Sequence, residues 1–147
     1  MATLATYIVQ IRTVIEALSP ASATPSTAYD ATDGLMPPAD EPLTRDRLFE
    51  VELLDVGEIQ AQWGSNAVQR KGRLDVVVHY DNLADRNTAF ERISNDLAQI
   101  TAALEQRSNY SADVHRVTYL GGGGIEQSDG AGWVARVPLE VLYQDAL

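Results

Sequence analysis

One segment constrains the fold of this chain more than any other, the apolar stripe between Ala84 and Arg107. Its large apolar residues recur at intervals of 3, 4, 3 and 4, as they do on one face of an α-helix. They are Phe90, Ile93, Leu97, Ile100 and Leu104. Thr88 and Glu91 have the spacing of a capping box near its start. The segment is therefore predicted to be a helix long enough to cross a small sheet.

A second amphipathic helix is predicted at the N-terminus. Its apolar residues, spaced by 4, 3, 4 and 3, are Leu4, Ile8, Ile11, Ile15 and Leu18. Pro20 cannot continue the helical hydrogen bonds, so the helix is predicted to end at Ser19. Residues 19–46, rich in Pro, Ala, Ser, Thr and Asp, are predicted to be an extended loop. A loop of this length in a compact domain is usually functional or disordered.

Four further segments alternate between apolar and polar residues, which is typical of strands with one buried face. They are Arg47–Gly57, Arg73–Asn82, Asp113–Leu120 and Trp133–Asp145. Residues 57–72 are predicted either as a polar hairpin connection or as a strand that continues outwards. Strands in adjacent pairs around one helix indicate an α+β fold. We expect one domain of 147 residues, with an antiparallel sheet of about four strands, two helices on one face, and the order α-β-β-α-β-β.

The glycine-rich segment between Tyr119 and Trp133 raises the question of nucleotide binding. A phosphate-binding loop is followed by a helix N-terminus, whereas Trp133 opens an alternating, strand-like segment. Glu126 and Asp129 would also repel a phosphate. Residues 121–132 are therefore predicted to be a flexible hairpin loop that becomes ordered against a partner, and no cofactor is expected.

Charge restricts the partners that this chain can have. With 11 basic and 21 acidic residues, the net charge is −10. Such a surface repels phosphate backbones and anionic lipid, so a free-standing nucleic-acid binder is disfavoured. The basic cluster of Arg70, Lys71 and Arg73 is interpreted either as solubilising charge at a hairpin end or as a contact to an acidic patch on a neighbouring copy.

The residues that usually carry chemistry are sparse. The absence of cysteine excludes disulfides and thiolate zinc sites. His79 and His115 lack metal-ligand spacing, and no catalytic or metal site is predicted. His79 and Asp81 are close enough in sequence to form a pair, which leaves open a small-ligand binding module or hydrolase that also uses the glycine loop. No signal peptide or membrane span is recognised, so we expect synthesis in the cytoplasm and no membrane partner.

Several positions form a longer pattern: a strand ending in tyrosine, a helix with I..D...I...L, a strand, a variable loop, and a final strand with W.....L.V.Y. They are Tyr80, Ile93, Asp96, Ile100, Leu104, Trp133, Leu139, Val141 and Tyr143. The N-terminal stripe Ile8–Leu18 and a strand beginning R.F.V, with Arg47, Phe49 and Val51, also agree. Most of the chain thereby resembles the tail terminator, or tail-completion, proteins of long-tailed bacteriophages.

This resemblance implies a structural virion protein without enzymatic activity. Its subunits would assemble into a ring, usually a hexamer, at the head-proximal end of the phage tail tube. The ring would stop polymerisation of the tube protein and provide the docking surface for the head connector and neck proteins. Genome DNA would pass through the channel without specific binding. A head-completion, neck or minor capsid protein of the same interface is the alternative within this class, and a bacterial adaptor is an alternative outside it.

The segments that exceed a minimal family member are expected to reach the partners. The expected contact residues lie in the glycine loop, the basic cluster and the proline-rich loop. They are Gly121, Gly122, Gly123, Gly124, Glu126, Asp129, Arg70, Lys71, Arg73, Pro37 and Pro38.

Overall fold

The computed structural model describes residues 4–20, 28–31, 46–63, 67–81, 86–127 and 132–146. Of the predicted contact residues, Pro37, Pro38 and Asp129 lie outside these ranges. The described part contains the helices α1 (Leu4–Glu16) and α2 (Arg86–Leu104) and a short 3₁₀ turn, Arg107–Asn109. Its strands are β1 (Asp30–Ala31), β2 (Leu48–Trp63), β3 (Ala67–Tyr80), β4 (Val114–Tyr119), β5 (Ile125–Gln127) and β6 (Trp133–Ala146).

The six strands form one mixed, curled sheet with the order β1-β2-β3-β6-β4, and β5 also pairs with β6. Strands β1 and β2 run parallel, and the other pairs are antiparallel. The prediction of an antiparallel sheet of about four strands in the order α-β-β-α-β-β is therefore wrong. The two additional strands have only 2 and 3 residues. Such short strands carry no detectable periodicity, and both lie in segments predicted as loops.

Strands β2 and β3 are long antiparallel neighbours, so the alternative of a strand that continues outwards describes residues 57–63 correctly. Strand β6 pairs with β3 over its whole length, from Ala67 opposite Ala146 to Tyr80 opposite Trp133. The register of β2 shifts at three places, between residues 53 and 55, 55 and 58, and 59 and 61. Such bulges interrupt the regular edge of a strand.

Both helices pack against the same face of the sheet. The ring of Tyr7 in α1 lies 4.7 Å from that of Tyr143, and the ring of Phe90 in α2 lies 5.3 Å from that of Trp133. The odd-numbered residues of β6, from Trp133 to Tyr143, face this core, because successive side chains of a strand point to opposite faces. The core also contains Ile11, Ile15, Phe49, Leu74, Val76, Val78, Ile93, Ile100, Leu104, Leu139 and Val141. The opposite face carries no helix within the described part of the chain.

Candidate functional site: a buried polar network and an open sheet face

A buried polar network joins helix α2 to the sheet. Arg47 Nε donates a hydrogen bond to Asp96 Oδ2 at 2.7 Å, and Arg47 Nη2 donates to Asp96 Oδ1 at 3.2 Å. Tyr80 Oη donates to the same Oδ2 at 2.8 Å. The side chains of Arg47 and Asp96 are fully buried. Both carboxylate oxygens are thus hydrogen-bonded, which buried ionised groups require.

The three partners come from separate parts of the chain. Asp96 lies on the buried face of α2, between Ile93 and Ile100. Arg47 directly precedes β2, and Tyr80 is the last residue of β3. The buried stripe of α2 is Ala89, Ile93, Asp96, Ile100 and Leu104. Phe90 and Leu97, which were predicted on the apolar stripe, are only half-buried. The helix is therefore rotated so that a carboxylate faces the core.

Tyr29 completes the network from the segment before β1. Its ring centroid lies 5.7 Å from Cζ of Arg47, and its hydroxyl donates to Gln99 Oε1 of α2 at 3.1 Å. Sequence reasoning did not single out Tyr29, because its surroundings have no apolar periodicity. The available signal is that Tyr29 is the lone aromatic residue between positions 19 and 46.

The backbone of Arg47 is held in an unusual conformation. Its φ of 58° lies in the left-handed region, which a residue with a side chain rarely adopts. Its N–H donates to the carbonyl of His79 at 2.7 Å, and its carbonyl accepts from the N–H of Asp30 at 3.1 Å. These bonds and the side-chain contacts to Asp96 stabilise the strained conformation. Arg47 thus connects β1, β3 and α2 at one point.

Electrostatics keep the network in one protonation state. Burial raises the pKa of Tyr80 well above its usual range, and the charge and hydrogen bond of Asp96 raise it further. Burial, followed by the charge of Asp96, also raises the pKa of Tyr29. For Arg47, burial by itself lowers the pKa, but the hydrogen bond and charge of Asp96 outweigh it, so the pKa is raised. Charged Arg47 and neutral tyrosines suit a structural connection better than proton transfer near neutral pH.

The open sheet face carries charges of both signs. We use this name for the face opposite the helices. Arg136 Nη1 lies 3.2 Å from Glu52 Oε2 and 3.7 Å from Asp75 Oδ2, so that it connects β6 with β2 and β3. Lys71 Nζ lies 3.7 Å from Glu140 Oε2. These side chains are all partly exposed. The ion pairs of the open sheet face are therefore partly accessible to solvent.

The basic cluster lies within β3, and its placement at a hairpin end is therefore wrong. Because side chains alternate along a strand, Lys71 and Arg73 lie on the open sheet face, whereas Arg70 lies on the face that carries the helices. A cavity of about 290 Å³ is lined by Asp55, Lys71, Arg73, Leu120 and Glu140. It extends from β2 across β3 and β6 to the residue that follows β4. The structure thus brings two of the three predicted basic contact residues together, with acidic neighbours.

The four consecutive glycines bridge β4 and β5 along the edge of β6. Leu120 N–H donates to the carbonyl of Pro138, and Arg136 N–H donates to the carbonyl of Gly124. Gly121, Gly122 and Gly124 have φ values of 75°, 76° and 77°, which favour glycine. A Cβ on Gly123 would lie 2.0 Å from the carbonyl oxygen of Arg136. The glycines therefore form an edge bulge, and the predicted loop 121–132 contains a strand, in which Glu126 is exposed.

His79 and Asp81, which the sequence allowed as a pair, each contact another residue. His79 Nε2 lies 3.7 Å from Glu50 Oε1, an ion pair only when the histidine is protonated. The backbone N–H of Asp81 donates to Asp46 Oδ1 at 2.7 Å. The residues that line the cavity on the open sheet face include neither His79 nor Asp81. Among the described residues, no group of three or more His, Cys, Asp or Glu side chains is arranged to hold a metal ion.

No protein-family model matches this chain, and no curated protein matches it. Neither of the two helices in the described ranges is long and apolar enough to cross a membrane.

Proposed function

We propose that this chain is a structural virion subunit, a tail terminator of a long-tailed bacteriophage. Its copies form a ring that caps the head-proximal end of the tail tube, stops polymerisation of the tube protein and offers a docking surface to the head connector. The genome passes through the central channel without specific binding. The net charge of −10 is consistent with such a channel, because it repels the DNA backbone.

The observation that carries the proposal is the contact among Arg47, Tyr80 and Asp96. These are three members of the sequence pattern that resembles the tail terminator family. Alternating apolar residues recur by chance in many sheets, so they discriminate poorly between families. An arginine before one strand, a tyrosine at the end of another and an aspartate on the apolar face of a helix are rarer. Here these positions, which are far apart in the chain, belong to one buried network, and this shared contact supports the proposal.

The first test is the native mass of the purified chain across a concentration series, measured by light scattering, with electron microscopy of any large species. The proposal expects a closed ring with a central hole. The second test adds the chain to polymerising tail-tube protein from the same genome. The proposal expects shorter tubes with one end capped by the chain.

Two other outcomes separate the alternatives. A ring that binds the head connector but leaves tube length unchanged would favour the head-completion or neck function. A monomer at every concentration that also fails to bind tubes and connector would overturn the proposal. In that case the cavity beside Lys71 and Arg73 becomes the starting point for a search for small ligands, with Lys71→Ala as the test of binding.

A further inference from the structure

Both lateral edges of the sheet are open in the described part of the chain. On one side, β1 pairs only with Leu48 and Phe49 of β2, and no described strand pairs with that side of β2 beyond Phe49. On the other side, β4 is the last strand of the sheet. An open edge presents unpaired N–H and carbonyl groups, which form a template for another strand.

Each open edge has one regular stretch of four residues. In β2 it is Glu50–Leu53, because the bulges begin after Leu53. In β4 it is Arg116–Tyr119, because the register shifts between Val114 and Arg116. Bulges prevent edge-to-edge pairing where they occur. The regular stretches are therefore the parts of each edge that can accept a further strand.

Exposed apolar side chains concentrate at these two edges. Within the described part of the chain, six large apolar residues are exposed, and five of them belong to β2 or to the end of β4. Those five are Leu53, Leu54, Ile59, Tyr119 and Leu120. Exposed apolar groups gathered on a sheet edge are typical of a surface that is covered by a partner.

The two edges are complementary in charge. On the open sheet face, the regular stretch of β2 carries Glu50 and Glu52, whereas that of β4 carries Arg116 and Thr118. Arg116 is exposed, and no described residue forms an ion pair with it. Arg136 contacts Oε2 of Glu52, so Oε1 remains able to accept a hydrogen bond from a second guanidinium.

We propose that β2 of one copy pairs with β4 of the next copy, so that the sheets continue around the assembly. The alternating strand directions across β2, β3, β6 and β4 make this contact antiparallel. It places Arg116 opposite Glu52, Val117 opposite Val51, and Thr118 opposite Glu50. Helices stay on one side and the open sheet face on the other. This is a heterologous contact, which closes into a ring when the rotation between copies permits.

The proposed register also introduces a stagger between neighbouring copies. Arg116 pairs with Leu142 of β6, which in turn pairs with Lys71 of β3, so Arg116 and Lys71 lie at the same height in the sheet. Glu52 pairs directly with Asp75 of β3. Adjacent sheets are therefore offset by four residues, the separation of Lys71 and Asp75 along β3. Closed sheets need a stagger between strands because the strands tilt relative to the ring axis.

The inference rests on the proposed ring, and a cross-linking experiment can separate the two. The natural chain has no cysteine, so Glu50→Cys together with Thr118→Cys introduces the only two thiols. Mild oxidation followed by a non-reducing gel is expected to give a ladder of covalent oligomers that ends at the size of the ring. The control variant combines Thr118→Cys with Glu91→Cys, because Glu91 is an exposed residue of α2. It is expected to remain largely monomeric on the gel.

The outcomes have distinct meanings. Rings by light scattering without the ladder would overturn the β2–β4 contact and leave the tail terminator proposal standing. Covalent dimers from Thr118→Cys alone would indicate a symmetric β4–β4 contact and would also overturn it. A chain that is monomeric at every concentration and on tail tubes, without cross-links, would overturn both proposals.

A charge reversal gives a second, independent measurement. Arg116→Glu places like charges across the contact, so the concentration at which half of the chains are assembled should rise at least about tenfold. Arg86→Glu is the matched control, since Arg86 is exposed but lies on α2, outside the proposed strand pairing. Equal effects of the two substitutions would attribute the change to net charge and contradict the β2–β4 contact.

Discussion

Two arginine–carboxylate pairs of this sheet lie in opposite environments. Arg47 holds Asp96 at 2.7 Å with both side chains fully buried, whereas Arg136 holds Glu52 at 3.2 Å with 37% and 39% of the side chains exposed. A buried charge has lost its hydration and depends on its partner, whereas an exposed charge keeps much of its water. The buried pair therefore fixes the packing of α2 against the sheet. The exposed pair contributes little to stability and remains available to other molecules.

The largest expected effect tests the buried pair. Asp96→Ala removes the carboxylate that pairs with Arg47 and accepts from Tyr80, so a buried guanidinium is left without its counter-charge. We expect the free energy of unfolding to fall by about 3–5 kcal/mol. Urea denaturation followed by circular dichroism measures this loss.

The matching double variant identifies the cause. Arg47→Met combined with Asp96→Leu removes both charges and replaces them with apolar side chains. We expect it to be more stable than Asp96→Ala, because no unpaired charge remains in the core. A loss below about 1 kcal/mol for Asp96→Ala would contradict the view that this pair fixes the packing.

The next effect concerns the backbone that positions Arg136. Gly123→Ala would bring a Cβ to 2.0 Å from the carbonyl oxygen of Arg136, so the edge must shift. We expect a loss of about 2–3 kcal/mol. Gly122→Ala is the control, because its Cβ meets open space and only the φ of 76° opposes it, for about 1 kcal/mol. Equal losses would mean that close packing against β6 does not position this edge.

A smaller effect is expected for one hydrogen bond of the buried network. Tyr80→Phe removes the hydroxyl that donates to Asp96 and leaves the ring in place. Hydrogen bonds to charged groups contribute about 1.5–3 kcal/mol, and we expect the lower value because Arg47 still holds the carboxylate. Chemical denaturation at neutral pH measures the difference, and an unchanged midpoint would contradict it.

Tyr80→Phe also tests the contribution of the buried network to stability at alkaline pH. Burial raises the pKa of Tyr80 above its ordinary value of 10.0. The folded state therefore retains the proton more strongly than the unfolded state does. The contribution of Tyr80 to stability is complete below about pH 10 and is lost as the pH rises further. Melting temperatures from about pH 8 to 11 should fall at the alkaline end, and less steeply in Tyr80→Phe.

The smallest effect tests the exposed pair. Arg136→Ala removes the contacts to Glu52 and Asp75, and we expect the free energy of unfolding to change by no more than about 0.5 kcal/mol. Raising the salt concentration should reduce even this difference, because exposed ion pairs are screened. A loss as large as that of Asp96→Ala would remove the distinction between the two arginines.

Periodicity in the sequence identified the long elements. The stripe on α2 and the alternation in β3 and β6 predicted helices and strands where the structure has them. The glycine-rich segment was predicted to be a flexible hairpin loop, whereas the structure contains strand β5 there, paired with β6. Strands β1 and β5 escaped prediction because 2 or 3 residues cannot establish a period. The candidate contact residues Lys71 and Arg73 were named from charge alone, without their acidic neighbours Asp55 and Glu140.

The sequence by itself thus determined which segments are helical or extended, because hydrogen bonding within a helix and alternation along a strand are local properties. Only the tertiary structure decided which strands are neighbours, which edges of the described sheet stay open, and that Asp96 faces the core. Those features depend on contacts between distant residues, as when Arg47 meets Asp96 across 49 positions. A carboxylate on an apolar helix face is unfavourable until its partner arrives, and the fold supplies that partner.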